Sequence, residues 1–153
     1  MRQGGDCRVG RARNMGWRHA PFLVRRTLSG VPPMSVLFCF HPPATAITLN
    51  QRHHWAAHAR LVKEWRTAGM LYARKARIGP QPPSRITVTL PVTGRRRRDP
   101  HNWTPTVKAI VDGLVDAGVW PDDNSAWIVT SEPVLDPAAT EVAVTITPLK
   151  EDA

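Results

Sequence analysis

From residue 35 onward the apolar positions recur with two different periods. Ser35–His41 is a short apolar and aromatic run ended by Pro42 and Pro43. That is strand chemistry, stopped by residues that give no N–H to a ladder. Arg85–Val92 alternates cleanly: Ile86, Val88, Leu90 and Val92 one way, Arg85, Thr87 and Thr89 the other. It reads as a half-buried strand, and Pro91 assigns it to a sheet edge or puts a bulge near its end. Ala126–Ser131 and Glu141–Thr147 read as two more strands, joined by a hairpin-like return through Pro133 and Pro137. Two other stretches follow the helical period. Asn50–Ala68 puts Trp55, Ala59, Val62 and Trp65 near one face, with Asn50 as cap and Gly69 as stop. Pro105–Ala117 puts Val107, Ile110, Val111 and Leu114 on one stripe and Lys108, Asp112 and Asp116 on the opposite row. Thr104 fits its cap, Pro105 its first helical position and Gly118 a left-handed stop. The order strand, helix, strand, helix, strand, strand predicts an α/β fold, a mixed β-sheet packed with two main helices.

Composition divides the chain. Residues 1–33 hold seven Arg and one acid, Asp6, among scattered glycines, with no sustained period. They read as a disordered basic extension ahead of one folded domain at 34–153. The extension is either without function or an arm that adds sequence-independent affinity for DNA. The whole chain of 153 residues carries a net charge of +9, which favours an anionic partner. Beyond residue 33 nearly all basic residues lie at or before Lys108 and most acids lie after it, so a positive face can stand against a carboxylate cluster. Cys7 and Cys39 lack metal-finger spacing, and a reducing cytoplasm is the expected compartment. Neither a membrane span nor a secretion signal is expected. His54 and His58 share a helix face at ligand spacing, but no third ligand accompanies them. Arg74–Ser84 is a basic, proline-ended loop, either a connection or a flap that touches DNA.

The chemistry concentrates in Arg95–Ile128. Arg95, Arg96, Arg97 and Arg98 run into Asp99, His101 and Asn102; Lys108 sits early in the second helix; Asp122 and Asp123 follow its end. Hard divalent cations take oxygen ligands, which Asp99, Asp122 and Asp123 can supply, and guanidiniums suit phosphate. The combination points to metal-dependent chemistry on a phosphate backbone. It requires Asp99, ahead of the helix, to meet Asp122 and Asp123 around one cation, which happens only if the turn after Gly118 feeds a strand that runs back alongside. Lys108 is expected to lean towards Asp99 and the arginines. Taken alone, Pro121–Asn124 is also an ordinary turn sequence, and Lys108–Asp112 an ordinary surface ion pair.

This stretch resembles the RusA family of Holliday junction resolvases. The shared pattern is the arginine run, Asp99 with Asn102, Lys108, Asp112-Gly-Leu114, Ala117-Gly-Val-Trp120 and the closing Asp122-Asp123, with weaker similarity back to about Ser35. Two positions depart from it. His101 stands where the family has a second Asp, and Lys108 lies six residues after Asn102, where the family spacing is three. The resemblance implies a RusA-like fold and a metal-dependent endodeoxyribonuclease. Such an enzyme resolves four-way DNA junctions by paired, symmetric phosphodiester hydrolysis in recombination and repair. It implies Mg²⁺ or Mn²⁺ held by Asp99 and Asp123, with Asp122 as a ligand or a partner that supports one, and His101 as a third ligand or the holder of a metal-bound water. Asp99, Lys108 and Asp123 would be the catalytic residues, and Asn102 would orient a carboxylate or water. Arg95–Arg98 and Arg52 would hold DNA together with Lys108. A C2 homodimer would match the symmetry of the junction, and the exposed tryptophans Trp103, Trp120 and Trp127 would serve its seam or the core. The expected setting is the cytoplasm of a bacterial or phage-infected cell, with no membrane and no small-molecule cofactor. The alternatives are a basic DNA-binding protein without catalysis, or a nuclease for other branched DNA.

Overall fold

A five-stranded mixed sheet carries two helices. It appears in a computed structural model whose described residues are 35–149. The basic extension expected at 1–33 lies outside them. The elements run β1 (Val36–Phe40), α1 (Trp55–Lys75), β2 (Ser84–Pro91), α2 (Thr104–Asp116), β3 (Ile128–Thr130), β4 (Val134–Asp136) and β5 (Val142–Pro148), with a 3₁₀ turn at Pro100–Trp103 before α2. The expected α/β class therefore holds. β5 lies between β1 and β2 and is antiparallel to both. β3 and β4 pair in succession along the other side of β2, both parallel to it. β2 is thus an interior strand, not an edge. Pro91 is tolerated because it is the last residue, paired only with Asp136 of β4. The return from β3 to β5, expected to be hairpin-like, is not: the two strands flank β2 on opposite sides, and the link between them holds the three-residue strand β4.

The alternating residues of β1, β2 and β5 supply one layer of the core: Phe38, Phe40, Ile86, Val88, Leu90, Val142, Val144 and Ile146. The stripe of α2 supplies the other through Val107, Ile110, Val111 and Leu114, as its period predicts. Trp120 is fully buried, its indole N–H donating to Pro82 O at 3.2 Å, and Trp103 and Trp127 pack against the core. These three tryptophans belong to the core and not to an exposed seam. No helix among the described residues is long and apolar enough to cross a membrane.

Helix α1 begins five residues later and ends seven residues later than its pattern suggests. Its cap is His54, whose Nδ1 accepts from Ala56 N–H at 3.3 Å, in place of Asn50. Gly69 does not stop it. A Cβ there would lie 2.8 Å from Ile110 O on α2, and a Cβ on Gly113 would lie 2.1 Å from Arg66 O on α1. The two glycines let the helices cross backbone against backbone. The stop comes at Arg77, which takes the left-handed conformation at φ 54°. There Ile78 N–H bonds Ala73 O and Arg77 N–H bonds Arg74 O, a Schellman closure without its usual glycine. The buried face of α1 is accordingly Trp65, Ala68, Gly69 and Ala73, while Trp55 and Ala59 are exposed. The "basic loop" loses Arg74 and Lys75 to the helix.

Candidate functional site

β2 ends at Pro91 and feeds, through Gly94 at φ 74°, directly into the arginine run. In open α/β sheets the crevice beyond the carboxyl ends of strands is where ligands commonly sit. Here a shallow cleft of about 430 Å³ lies between Arg95–Arg98 and the segment Pro133–Pro137 around β4. Arg95, Arg96 and Arg97 are exposed. Arg98 differs: it is half-buried, and its guanidinium donates to Thr93 O and Arg96 O, holding the loop's own backbone. Three of the four arginines therefore face solvent, and the fourth shapes the loop that presents them.

Asp99 follows at once. Its Oδ1 accepts from His101 N–H at 3.1 Å, so it caps the 3₁₀ turn that continues into α2. The cap expected from Thr104 is displaced upstream. Thr104 is already helical, and its hydroxyl donates to His101 O. Asn102 binds the chain segment before α1, its carbonyl accepting from Leu49 N–H at 2.9 Å. One turn further on, the buried Thr106 hydroxyl donates to Ile47 O and accepts from Ile47 N–H, both at 2.8 Å. These bonds fix residues 47–49, and with them the approach to α1, beside the start of α2.

The acidic turn does come back alongside α2. Gly118, at φ 83°, closes the helix in a Schellman motif: Val119 N–H bonds Leu114 O, and Gly118 N–H bonds Val115 O. Val119 O then accepts from Gln81 N–H at 2.8 Å, which turns the chain towards the sheet. Asp122 serves the turn itself, its two carboxylate oxygens accepting from Asp123 N–H and from the Asn124 side-chain amide, each at 2.8 Å. Asp123 reaches Lys108. The Lys108 ammonium donates to Asp123 Oδ2 and, at 2.5 Å, to Asp112 Oδ1. Lys108 thus points along the helix to a carboxylate pair, not back to Asp99 and the arginines. Two anions within reach outweigh the N-terminal lean of a helical side chain.

The electrostatics of this bridge follow from its exposure. The Lys108 side chain is 58% exposed and that of Asp123 37%. Partial burial pulls the ammonium down, but its hydrogen bonds to Asp112 and Asp123 outweigh that and hold it above the ordinary lysine value. The same bond, with the nearby positive charge, holds the Asp123 carboxyl below the usual aspartate range. Further along the outer row of α2, Arg66 makes a two-pronged pair with Asp116, which depresses that carboxyl too.

The expected site residues therefore fall into three groups. Arg95–Arg98, Asp99, His101 and Asn102 lie ahead of α2. Lys108, Asp112 and Asp123 form one bridge on its flank, and Asp122 holds the turn beside it. Asp112, read from spacing as a plain ion-pair partner, is that and also half of the carboxylate pair around Lys108. Asp99 caps the turn before the helix. Asp112 lies about 12 Å along the axis from the first residue of α2. Among the described residues, no group of three or more His, Cys, Asp or Glu side chains is placed to hold a metal ion. Arg52, His53 and Trp55 are exposed on the segment tied to Asn102. The helical period hides Trp55 by placing it on the buried face; no local signal marks it as exposed until the start of α1 is known. No protein-family model matches the chain, and no curated protein matches it significantly.

Proposed function

We propose that the chain is an endodeoxyribonuclease with a RusA-like fold that cuts four-way DNA junctions. It would act as a C2 homodimer and depend on Mg²⁺ or Mn²⁺, in the cytoplasm of a bacterial or phage-infected cell. The observation that carries the reading is the return of Asp123 to Lys108 across the turn after α2. It gathers an ammonium and two carboxylates on the helix that follows the exposed arginines and Asp99. The mixed sheet with two helices is also the architecture the resemblance implies.

In this reading Arg95, Arg96 and Arg97 grip phosphates and set the register of the duplex without reading its sequence. Arg98 keeps their loop in shape through Thr93 and Arg96. Lys108 releases one carboxylate to neutralise a phosphate oxygen at the cut, and Asn102 and His101 line the approach from the 3₁₀ turn. The carboxylate oxygens are the donors Mg²⁺ and Mn²⁺ prefer, but as placed they do not fit a three-ligand centre. Lys108 fills the space between the two that converge.

That placement favours a second reading, a basic protein that binds branched DNA without cutting it. Synthetic four-way junctions, flaps and linear duplexes, incubated with Mg²⁺ or Mn²⁺, separate the two. Cation-dependent cutting of the junction that disappears in Asp99→Asn supports the resolvase. Cutting of flaps alone points to another branched-DNA nuclease. Tight binding with no cutting in either metal supports the second reading.

A further inference from the structure

The segment leading into α1 presents a large aromatic to solvent among basic side chains. Trp55, the first residue of α1, is 77% exposed, and Leu49 in the same segment is 56% exposed. Between Ser35 and Lys63 there is no Asp or Glu, whereas Arg52, Arg60 and Lys63 lie there, and Glu64 is the first acid after that stretch. The segment is also held in shape. Leu49 N–H bonds Asn102 O at 2.9 Å, and Thr48 N–H bonds the Gln51 side chain at 3.2 Å. The same Gln51 oxygen meets His53 Nε2 at 3.0 Å. His54 caps the helix, and its ring lies 5.6 Å from that of Trp55, tilted by 37°. An exposed indole on an ordered backbone loses little freedom when something stacks on it.

We infer that Trp55, three residues after the exposed Arg52, is a stacking platform for an unpaired base of single-stranded DNA. Every base offers a flat face of the right size, and the strand's phosphates match the local positive charge. A protein surface would need acidic side chains to suit this setting, and a second copy of the chain would bring the same positive charge against it. The bonds from Leu49 and Ile47 to Asn102 and Thr106 tie residues 47–49, which lead into the platform, to the start of α2. The inference rests on the DNA-binding part of the proposed function and not on cleavage.

The test is fluorescence anisotropy in EDTA on the full chain, with a labelled oligothymidylate of about a dozen nucleotides and a blunt duplex. Trp55→Ala is expected to weaken the oligothymidylate complex by roughly 5- to 100-fold, since stacking supplies most of a sequence-tolerant contact. Trp55→Phe keeps most of the affinity, and duplex binding by both variants stays within about twofold of wild type. Because Trp55 touches little of the core, circular dichroism and the unfolding midpoint of Trp55→Ala match wild type. Unchanged oligothymidylate affinity in Trp55→Ala, or an equal loss on duplex, overturns the platform. So does a change in the sedimentation of the free protein, which would make Trp55 a contact between copies. Junction cutting that persists while Trp55→Ala binds oligothymidylate normally sinks the platform alone. Trp55-dependent strand binding in a protein that cuts nothing upholds it without the nuclease.

Discussion

Replacing Gly113 by alanine tests the helix crossing on which the site is built. The added methyl carbon would lie 2.1 Å from Arg66 O and 2.8 Å from Met70 N. Both are backbone atoms of α1, so no rotamer change relieves the contact. An ordinary contact needs about 3.5 Å, so α2 has to move away by roughly 1 Å or more. The interface it opens holds Trp65 and Ala68 on one side and Ile110 and Leu114 on the other. Overpacking of this kind costs about 3 kcal/mol or more. Alanine's better helix propensity returns about 1 kcal/mol. A net loss of roughly 2 kcal/mol is expected, a fall in Tm of about 6–10 °C for a domain of this size. Urea unfolding followed by circular dichroism measures it. Because α2 carries Lys108 and Asp112, the same variant should also disturb the bridge to Asp123. A Gly113→Ala protein as stable as wild type, or more stable, would refute the close crossing.

Further outcomes follow from particular residues. Arg77→Gly is expected to stabilise the fold by about 1 kcal/mol, because it relieves a left-handed residue at the end of α1; the same unfolding assay reads it. The Asp123 carboxyl is depressed, so its pairing adds stability that is present above the unfolded value and lost as pH falls through the folded one. The difference in stability between wild type and Asp123→Asn should therefore be flat above about pH 5 and shrink below about pH 4. Lys108 is raised, so its share persists until alkaline pH passes the ordinary lysine value. Replacing Arg96 and Arg97 by glutamine should weaken DNA binding uniformly across sequences and reduce the salt dependence by about one ion per lost phosphate contact. Arg98→Gln should act mainly by loosening the Thr93–Arg96 loop.

What the sequence reveals here depends on the range of the interaction. β1, β5 and α2 follow from alternation, from the 3.6 period and from Pro105 and Gly118, signals carried within a few residues. The interior position of β2 is not of that kind. Pro91 makes it resemble an edge strand, and only the pairing with β3 and β4 distinguishes the two. Gly69 misleads because a glycine that ends a helix and one that admits a neighbouring backbone look alike until α2 is in place. The early start is a separate error: Asn50 suits a cap as well as His54 does, and starting there puts Trp55 inside the helix when it is the first, exposed residue. At the site, the short turn after Gly118 permits the return of Asp123 without fixing it, whereas Lys108–Asp112 is legible from spacing four. The choice Lys108 makes is not legible, since it depends on where Asp123 arrives. Asp99 shows the opposite case: its role as cap of the Pro100–Trp103 turn is local, but its candidacy as a ligand draws attention from it.

The nuclease reading stands or falls most directly on where the strands of a four-way junction are cut. Each strand is end-labelled in turn, incubated with the protein and Mn²⁺ or Mg²⁺, and mapped on a denaturing gel. The account predicts nicks at symmetric positions on two opposing strands, absent without the cation and absent in Asp123→Asn. Intact strands under every metal, from a protein that still shifts the junction on a native gel, would contradict it.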